Sequence, residues 1–199
     1  MPKIVDHQKQ RKLVAEAAWR VILRDGIEQA SVRHIAEEAG ISAGSMRHYF
    51  SSQSELFLYA MNLVSERVSE RLNQLQLKGE PLDNVRHFLM ELLPTSDEKM
   101  AEMGVWYAFT AKSKADPALR KQADKVYGEL RQAIANVVLH LVRQDLAMTD
   151  LDQELETERL YALIDGLAVH AVLRPEQVNN QIMEDVLMRH LTSLCRGEQ

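Results

Sequence analysis

Residues 31–50, SVRHIAEEAGISAGSMRHYF, decide how this chain reads. Val32, Ile35, Ala36 and Ala39 recur at i, i+3, i+4 and i+7, the spacing that lines one face of a helix. Ser31 is placed to cap that helix and Gly40 to end it, because glycine takes the left-handed backbone of a helix terminus without a steric penalty. Ile41 fills the angle that follows, and Ser42 caps a second helix whose inward residues Met46, Tyr49 and Phe50 again fall at i, i+3 and i+4. Two short helices about a glycine turn make a helix-turn-helix. The second helix leaves Ala43, Gly44, Ser45, Arg47 and His48 facing out. Its small N-terminal residues allow close approach to base edges, and Arg47 and His48 can donate to phosphate or guanine.

The same stretch holds a pattern that points elsewhere. Gly40-Ile41-Ser42-Ala43-Gly44 matches G-x-S-x-G, the nucleophile elbow of serine hydrolases, which requires a strand before the serine. A helix precedes it here, and no β-branched run of strand length occurs anywhere, so no enzymatic activity is expected.

The chain has 199 residues, 46% hydrophobic and 27% charged, enough to bury a sizeable core. Its longest nearly apolar run, Leu160 to Leu173, is broken by Asp165 and His170, too short and too polar to cross a bilayer. MPKIVDHQKQRK at the N-terminus has no apolar segment of a signal peptide, and the single cysteine, Cys195, fits a reducing cytoplasm. The net charge of −5 is unevenly spread, +1 over residues 1–56 and −6 over the remainder. Lys3, Lys9, Arg11 and Lys12 form a basic cluster beside the motif that could reach flanking phosphates.

Periodicity elsewhere is helical throughout. A first helix from about His7 to Arg24 completes a three-helix head with Trp19 packed inside it. Ser52-Gln53-Ser54-Glu55 is a capping box for a long fourth helix to about Lys78 that links head to body. A fifth helix ends before Pro94, Thr95 to Glu98 offers a second capping box for a sixth through Lys114, and Asp116-Pro117 starts a seventh to Gln144. The eighth, about Asp152 to Leu173, carries two apolar stripes, Leu160, Leu163, Ile164, Leu167, Ala171 and Tyr161, Ala162, Gly166, Val169, Leu173. Only one more helix follows, about Glu176 to Arg196, so part of that surface is expected to meet a second subunit. The expected fold is all-α with about nine helices: a helix-turn-helix DNA-binding domain over 7–67 and a ligand-binding and dimerisation domain over 68–199.

Ile35-Ala36, Ala39-Gly40-Ile41-Ser42, Gly44, His48-Tyr49-Phe50 and Glu55-Leu56 together resemble the tetracycline-repressor (TetR) family of bacterial transcription regulators. Two positions depart from the commonest pattern: Arg47 stands where tyrosine is usual, and Gln53 where a lysine often contacts phosphate. The body, through Trp106 to Phe109 and Asp165 to Pro175, is similar to the subgroup containing the choline-responsive betaine-pathway repressors. The resemblance implies a cytoplasmic homodimer that binds a double-stranded operator and is released from it by a small-molecule effector. The candidate DNA-binding residues are Ser31, Arg33, Ser42, Ala43, Gly44, Ser45, Arg47, His48 and Gln53. A competing reading is a helical small-molecule-binding or adaptor protein without operator binding.

Met100, Met103, Trp106 and Tyr107 crowd one helix, followed by Thr110. Adaptable thioethers and rigid aromatic faces suit an apolar ligand or a quaternary ammonium. The candidate ligand set is Met103, Trp106, Tyr107, Thr110, Tyr127 and Asp165, while Phe109 and His170 read as structural. The seven histidines lack metal-ligand spacing, and no cofactor is implied.

Overall fold

Helix ends in this chain are set by the side chains that satisfy their orphaned backbone groups. In the computed structural model, which describes residues 7–195, the elements are α1 (His7–Asp25), a 3-10 turn (Ile27–Gln29), α2 (Val32–Glu38), α3 (Ala43–Met46), α4 (Gln53–Gln74), α5 (Pro81–Glu91), α6 (Asp97–Ser113), α7 (Pro117–Arg143), α8 (Gln153–Leu173) and α9 (Asn180–Leu194). No strand occurs among the described residues. Lys3 and Arg196 lie outside them.

Ser31 Oγ accepts from His34 N and Ser42 Oγ from Ser45 N, the two caps expected of the motif. Gly40 ends α2 with φ of 69°. Asp116 Oδ1 accepts from both Ala118 N and Leu119 N, and Asp152 and Asn179 cap α8 and α9.

Several boundaries differ from the sequence reading. Helix α6 is capped by Ser96, whose Oγ accepts from Lys99 N, and Thr95 Oγ1 accepts from the Lys99 ammonium instead. Helix α4 stops at Gln74 because Asn84 closes the following loop, its amide accepting from Gly79 N and donating to Gly79 O. Helix α9 begins only at Asn180, after its asparagine cap. In the box at the start of α4, Ser52 Oγ caps Glu55 N as expected. The Glu55 carboxylate, however, accepts from Ser51 N one residue earlier than a standard box would have it.

The chain divides into two compact units, one through Arg67 together with Ala101–Lys125, the other Val68–Met100 with the residues from Val126 on. In the first, α1 packs on α2 and α2 on α3 around Val14, Ala18, Ile22, Ile35, Met46, Phe50, Leu56, Phe57 and Met61. Trp19 is buried there and its indole N–H donates to Ala60 O at 3.2 Å. Residues of α6 complete this core: Phe109 is fully buried, its ring 5.5 Å from that of Phe57. In the second unit α9 packs on α5 and α8 through Val85, Leu89, Leu160, Ile164, Leu167, Met183, Leu187 and Leu191.

Candidate DNA interface and effector residues

Helix α3 spans four residues, and the chain continues past it as turns through Tyr49, with Phe50 N still bonded to Met46 O. Its inward side is fixed by buried Met46 and Phe50; Tyr49 packs partly, its ring 5.2 Å from that of His7. His7 Nε2 donates to His48 O at 3.2 Å, which ties the end of this segment to α1. Ser42, Ala43, Gly44, Arg47 and His48 are exposed, and Ser45 is half-buried with its hydroxyl 2.9 Å from that of Ser42. An ideal Cβ built on Gly44 would meet only Ser42 Oγ, at 3.7 Å, so nothing inside the chain requires glycine there.

Arg47 lines a cleft of about 340 Å³ with Val32, Met46, Phe50, Ser51, Ser52 and Leu56, between the starts of α2 and α4.

The remaining candidates on this side are more committed. Arg33 is exposed and pairs with Glu37 at 3.0 Å along α2. Ser31 is exposed but already caps α2. The Gln53 amide donates to Ala30 O at 2.7 Å and is half-buried, so it braces the head in place of the expected phosphate contact. Arg11 of the basic cluster is likewise turned inward, paired with Glu55 at 3.0 Å. On the opposite side, Arg20 and Arg24 donate to Glu38 at 2.7 and 2.9 Å, locking α1 to α2. These bonds, that from Arg20 foremost, hold the Glu38 carboxyl below its ordinary range.

Of the effector candidates, Met103, Trp106, Tyr107 and Thr110 lie half-buried along α6 within the first unit, on the side away from Val105 and Phe109. Trp106 packs against the core, and Thr110 Oγ1 is enclosed without a hydrogen-bond partner. Tyr127 and Asp165 belong to the second unit and both stand beside Tyr161. Tyr127 is 47% exposed, its ring 5.0 Å from that of Tyr161, and Asp165 is exposed as well. Burial first, then the Asp165 charge, pushes the Tyr161 hydroxyl up to about 12. These two are surface groups in the isolated chain. His170 is also exposed, contrary to a core role; only its carbonyl is used, accepting from Arg174 N.

Sequence reasoning missed two positions. Glu102 is a buried acid at 2% exposure, facing Arg67 at 3.7 Å; Arg67 also pairs with Glu16 at 2.7 Å and lies 4.7 Å over the Trp19 ring. Gly104 permits close approach of α6 to α1, for a Cβ there would fall 2.9 Å from Leu23 Cδ2. Both sit at i+3 or i+4 from residues the periodicity marks, so only their polarity or size conceals them.

With this geometry in view, comparison with known proteins is direct. Residues 14–60 match the family of bacterial regulatory proteins named for tetR, and residues 81–196 match the C-terminal domain of BetI-type transcriptional repressors. The chain is 44% identical to the HTH-type transcriptional regulator PksA of Bacillus subtilis (strain 168), over 98% of this chain and 94% of that protein. It is 28% identical to the regulator BetI of Vibrio vulnificus (strain YJ016), over 96% of this chain and 98% of that one. Among solved structures, a transcriptional regulator from Rhodococcus sp. Rha1 shares the fold at a TM-score of 0.81 and 26% identity, covering 92% and 95% of the two chains. A putative regulator from Saccharomonospora viridis, solved in complex with choline, does so at 0.82 and 24%, covering 95% and 99%. Helix α2 in place of a strand before Ser42, and that serine's use as a helix cap, agree with a regulator and not with a hydrolase. The chain belongs to the TetR family of DNA-binding transcriptional regulators, with a BetI-type C-terminal domain.

Proposed function

We propose that this regulator is a homodimeric repressor that acts in the cytoplasm and leaves its operator when a small molecule binds along α6. The observation that carries the reading is that the greater part of α6, from Ala101 on, belongs to the same compact unit as the helix-turn-helix. Phe109 joins it to α4 through Phe57, Glu102 to Arg67, and Lys112 to Glu28 beside the turn before α2, at 3.4 Å. A ligand that prefers one placement of α6 therefore changes the head's affinity for DNA by its differential binding energy, typically about 1–3 kcal/mol. The half-buried Met103, Trp106 and Tyr107, with the enclosed Thr110 hydroxyl, suit an apolar or quaternary-ammonium effector. On the DNA side, the outward residues of α3, with Arg47 and His48, read the bases, while Ser31, Arg33 and Gln53 support that surface from α2 and α4.

The dimer is supported by the apolar groups that α8 and α9 leave uncovered. Leu173 is 62% exposed, and Ile182 and Val186 are exposed on α9, one turn apart on the side away from buried Met183 and Leu187. Two-fold pairing would place the operator half-sites about 34–36 Å apart, or one turn further for a broad dimer.

The test is a panel of hydrophobic and quaternary-ammonium compounds scored for release of a duplex enriched from a randomised library. Trp106→Ala should keep duplex affinity and lose the response to whichever compound releases the wild type. A normal response in the folded variant removes α6 from the effector site.

A further inference from the structure

Arg11 belongs to the basic cluster beside the motif, yet its guanidinium is held inside the head. Its Cζ stands 4.5 Å from the Phe50 ring centroid and 4.8 Å from that of Tyr59, and the two rings meet edge-on at 5.5 Å. Nη2 donates to Glu55 Oε1 at 3.0 Å, and only 21% of the side chain is exposed. Arg11 Nε is buried with no hydrogen-bond partner, so ring faces and one carboxylate hold the group. The second oxygen of Glu55 accepts from Ser51 N at 2.8 Å and from Ser51 Oγ at 2.7 Å.

Phe50 and Ser51 are the residues through which the recognition segment passes into α4. Phe50 N bonds back to Met46 O, and Glu55 lies in the first turn of α4. One guanidinium on α1 thus grips the ring that ends the recognition segment, the ring of Tyr59 on α4, and the carboxylate that fixes the intervening loop.

We propose that Arg11 is a positioning residue for operator recognition: held against the rings of both Phe50 and Tyr59 and paired with Glu55, it sets the recognition segment against α1 and α4 and makes no DNA contact itself. The alternative source of an effect at Arg11 is its charge, acting on backbone phosphate. The two accounts differ in sign at Glu55. Removing a carboxylate near DNA should strengthen binding by charge alone, whereas breaking the clamp should weaken sequence-specific binding.

The experiment uses the full chain, a duplex enriched by the wild type from a randomised library, and a scrambled duplex of the same length, titrated across salt. Glu55→Gln is expected to lose affinity for the enriched duplex by about tenfold, roughly 1.4 kcal/mol, with scrambled-duplex affinity unchanged or raised. Arg11→Gln should lose a similar factor on the enriched duplex without a change in salt slope. Arg11→Lys should resemble it, because a compact ammonium lacks the planar fork that meets both rings and the carboxylate at once. Unchanged or stronger enriched-duplex binding by Glu55→Gln overturns the proposal. So does wild-type binding by Arg11→Lys, or an Arg11→Gln salt slope lower by about 0.9 for each phosphate left without its cation. Should Arg11→Gln not fold, Glu55→Gln decides alone, since its carboxylate is about a third exposed. A wild type that enriches no duplex removes operator binding, and the clamp with it.

Discussion

Replacing Gly44 by alanine separates what the fold needs from what DNA needs. Gly44 is the second residue of α3, and no strained backbone holds it there, since the only left-handed glycines described are Gly26 and Gly40. Its added methyl would meet a single atom, Ser42 Oγ, at the ordinary contact distance of 3.7 Å. Alanine in a helix interior is favoured over glycine by about 0.5–1 kcal/mol, and near the N-terminus the lower end applies. For a chain of this size that gain amounts to a rise in Tm of about 1–2 °C. Under the proposed mode of binding, the same methyl stands where the helix approaches base edges. A misfit comparable to one mismatched base pair costs about 1–3 kcal/mol per half-site, or tenfold for each 1.4 kcal/mol. Gly44→Ala should therefore unfold at a slightly higher temperature and bind an enriched duplex at least about tenfold more weakly, read by thermal denaturation and fluorescence anisotropy on the same preparation. Wild-type affinity in the more stable variant would refute close approach at this residue, and a lower Tm would refute the account of its backbone.

Gly40→Ala should behave in the opposite way, costing about 1–2 kcal/mol of stability because a side chain is forced into the left-handed region at φ of 69°; an unchanged denaturation midpoint would count against it. Arg67→Met should destabilise by about 2–4 kcal/mol, since it removes the cation facing buried Glu102 and lying over Trp19, and urea titration measures this. His190, half-buried on α9, is pushed below its ordinary 6.5 mainly by burial and then by Arg159, with Glu156 acting the other way. Its folded state favours the neutral ring, so its contribution is full above pH 6.5 and is lost as pH falls through the lowered folded value. His190→Gln should accordingly lose less Tm than the wild type between about pH 7 and pH 5, and an equal drop in both would sink the assignment.

The elements most legible in the sequence are those with a local cause. Ser31, Ser42 and Asp116 act within three residues of themselves, and each caps the helix assigned to it. What sequence does not settle is where a long side chain spends its polar end. Gln53 and Arg11 sit at positions facing the motif, which makes them phosphate candidates, but partners 23 and 44 residues away claim them. Helix α6 shows the same limit. Its aromatics are visible as a cluster, whereas Glu102 falls on the buried stripe with Val105 and Phe109 but is hidden by its polarity, its cation Arg67 coming from another helix. Tyr127 and His170 depart from expectation for a related reason: amphipathic spacing marks a face, but whether a neighbour covers that face is decided by tertiary packing.

A recognition helix of four residues cannot hold its own shape, since isolated helices shorter than about 12–15 residues are marginal in water. Its conformation must come from its anchors. Ser42 fixes its start, Met46 and Phe50 seat it in the core, His7 holds the carbonyl of His48, and the Arg11–Glu55–Ser51 chain fixes its exit into α4. Met46 and Phe50 among those anchors are buried and Arg11 and Glu55 half-buried, whereas Gly44, Arg47 and His48 are exposed. The exposed residues can therefore be exchanged without loss of fold, and under the proposed reading the anchors set the angle at which those residues meet DNA. Operator specificity in this chain then depends on two separable sets of side chains, and substitutions in α1 or at the start of α4 should alter affinity without altering which base is preferred at any one position.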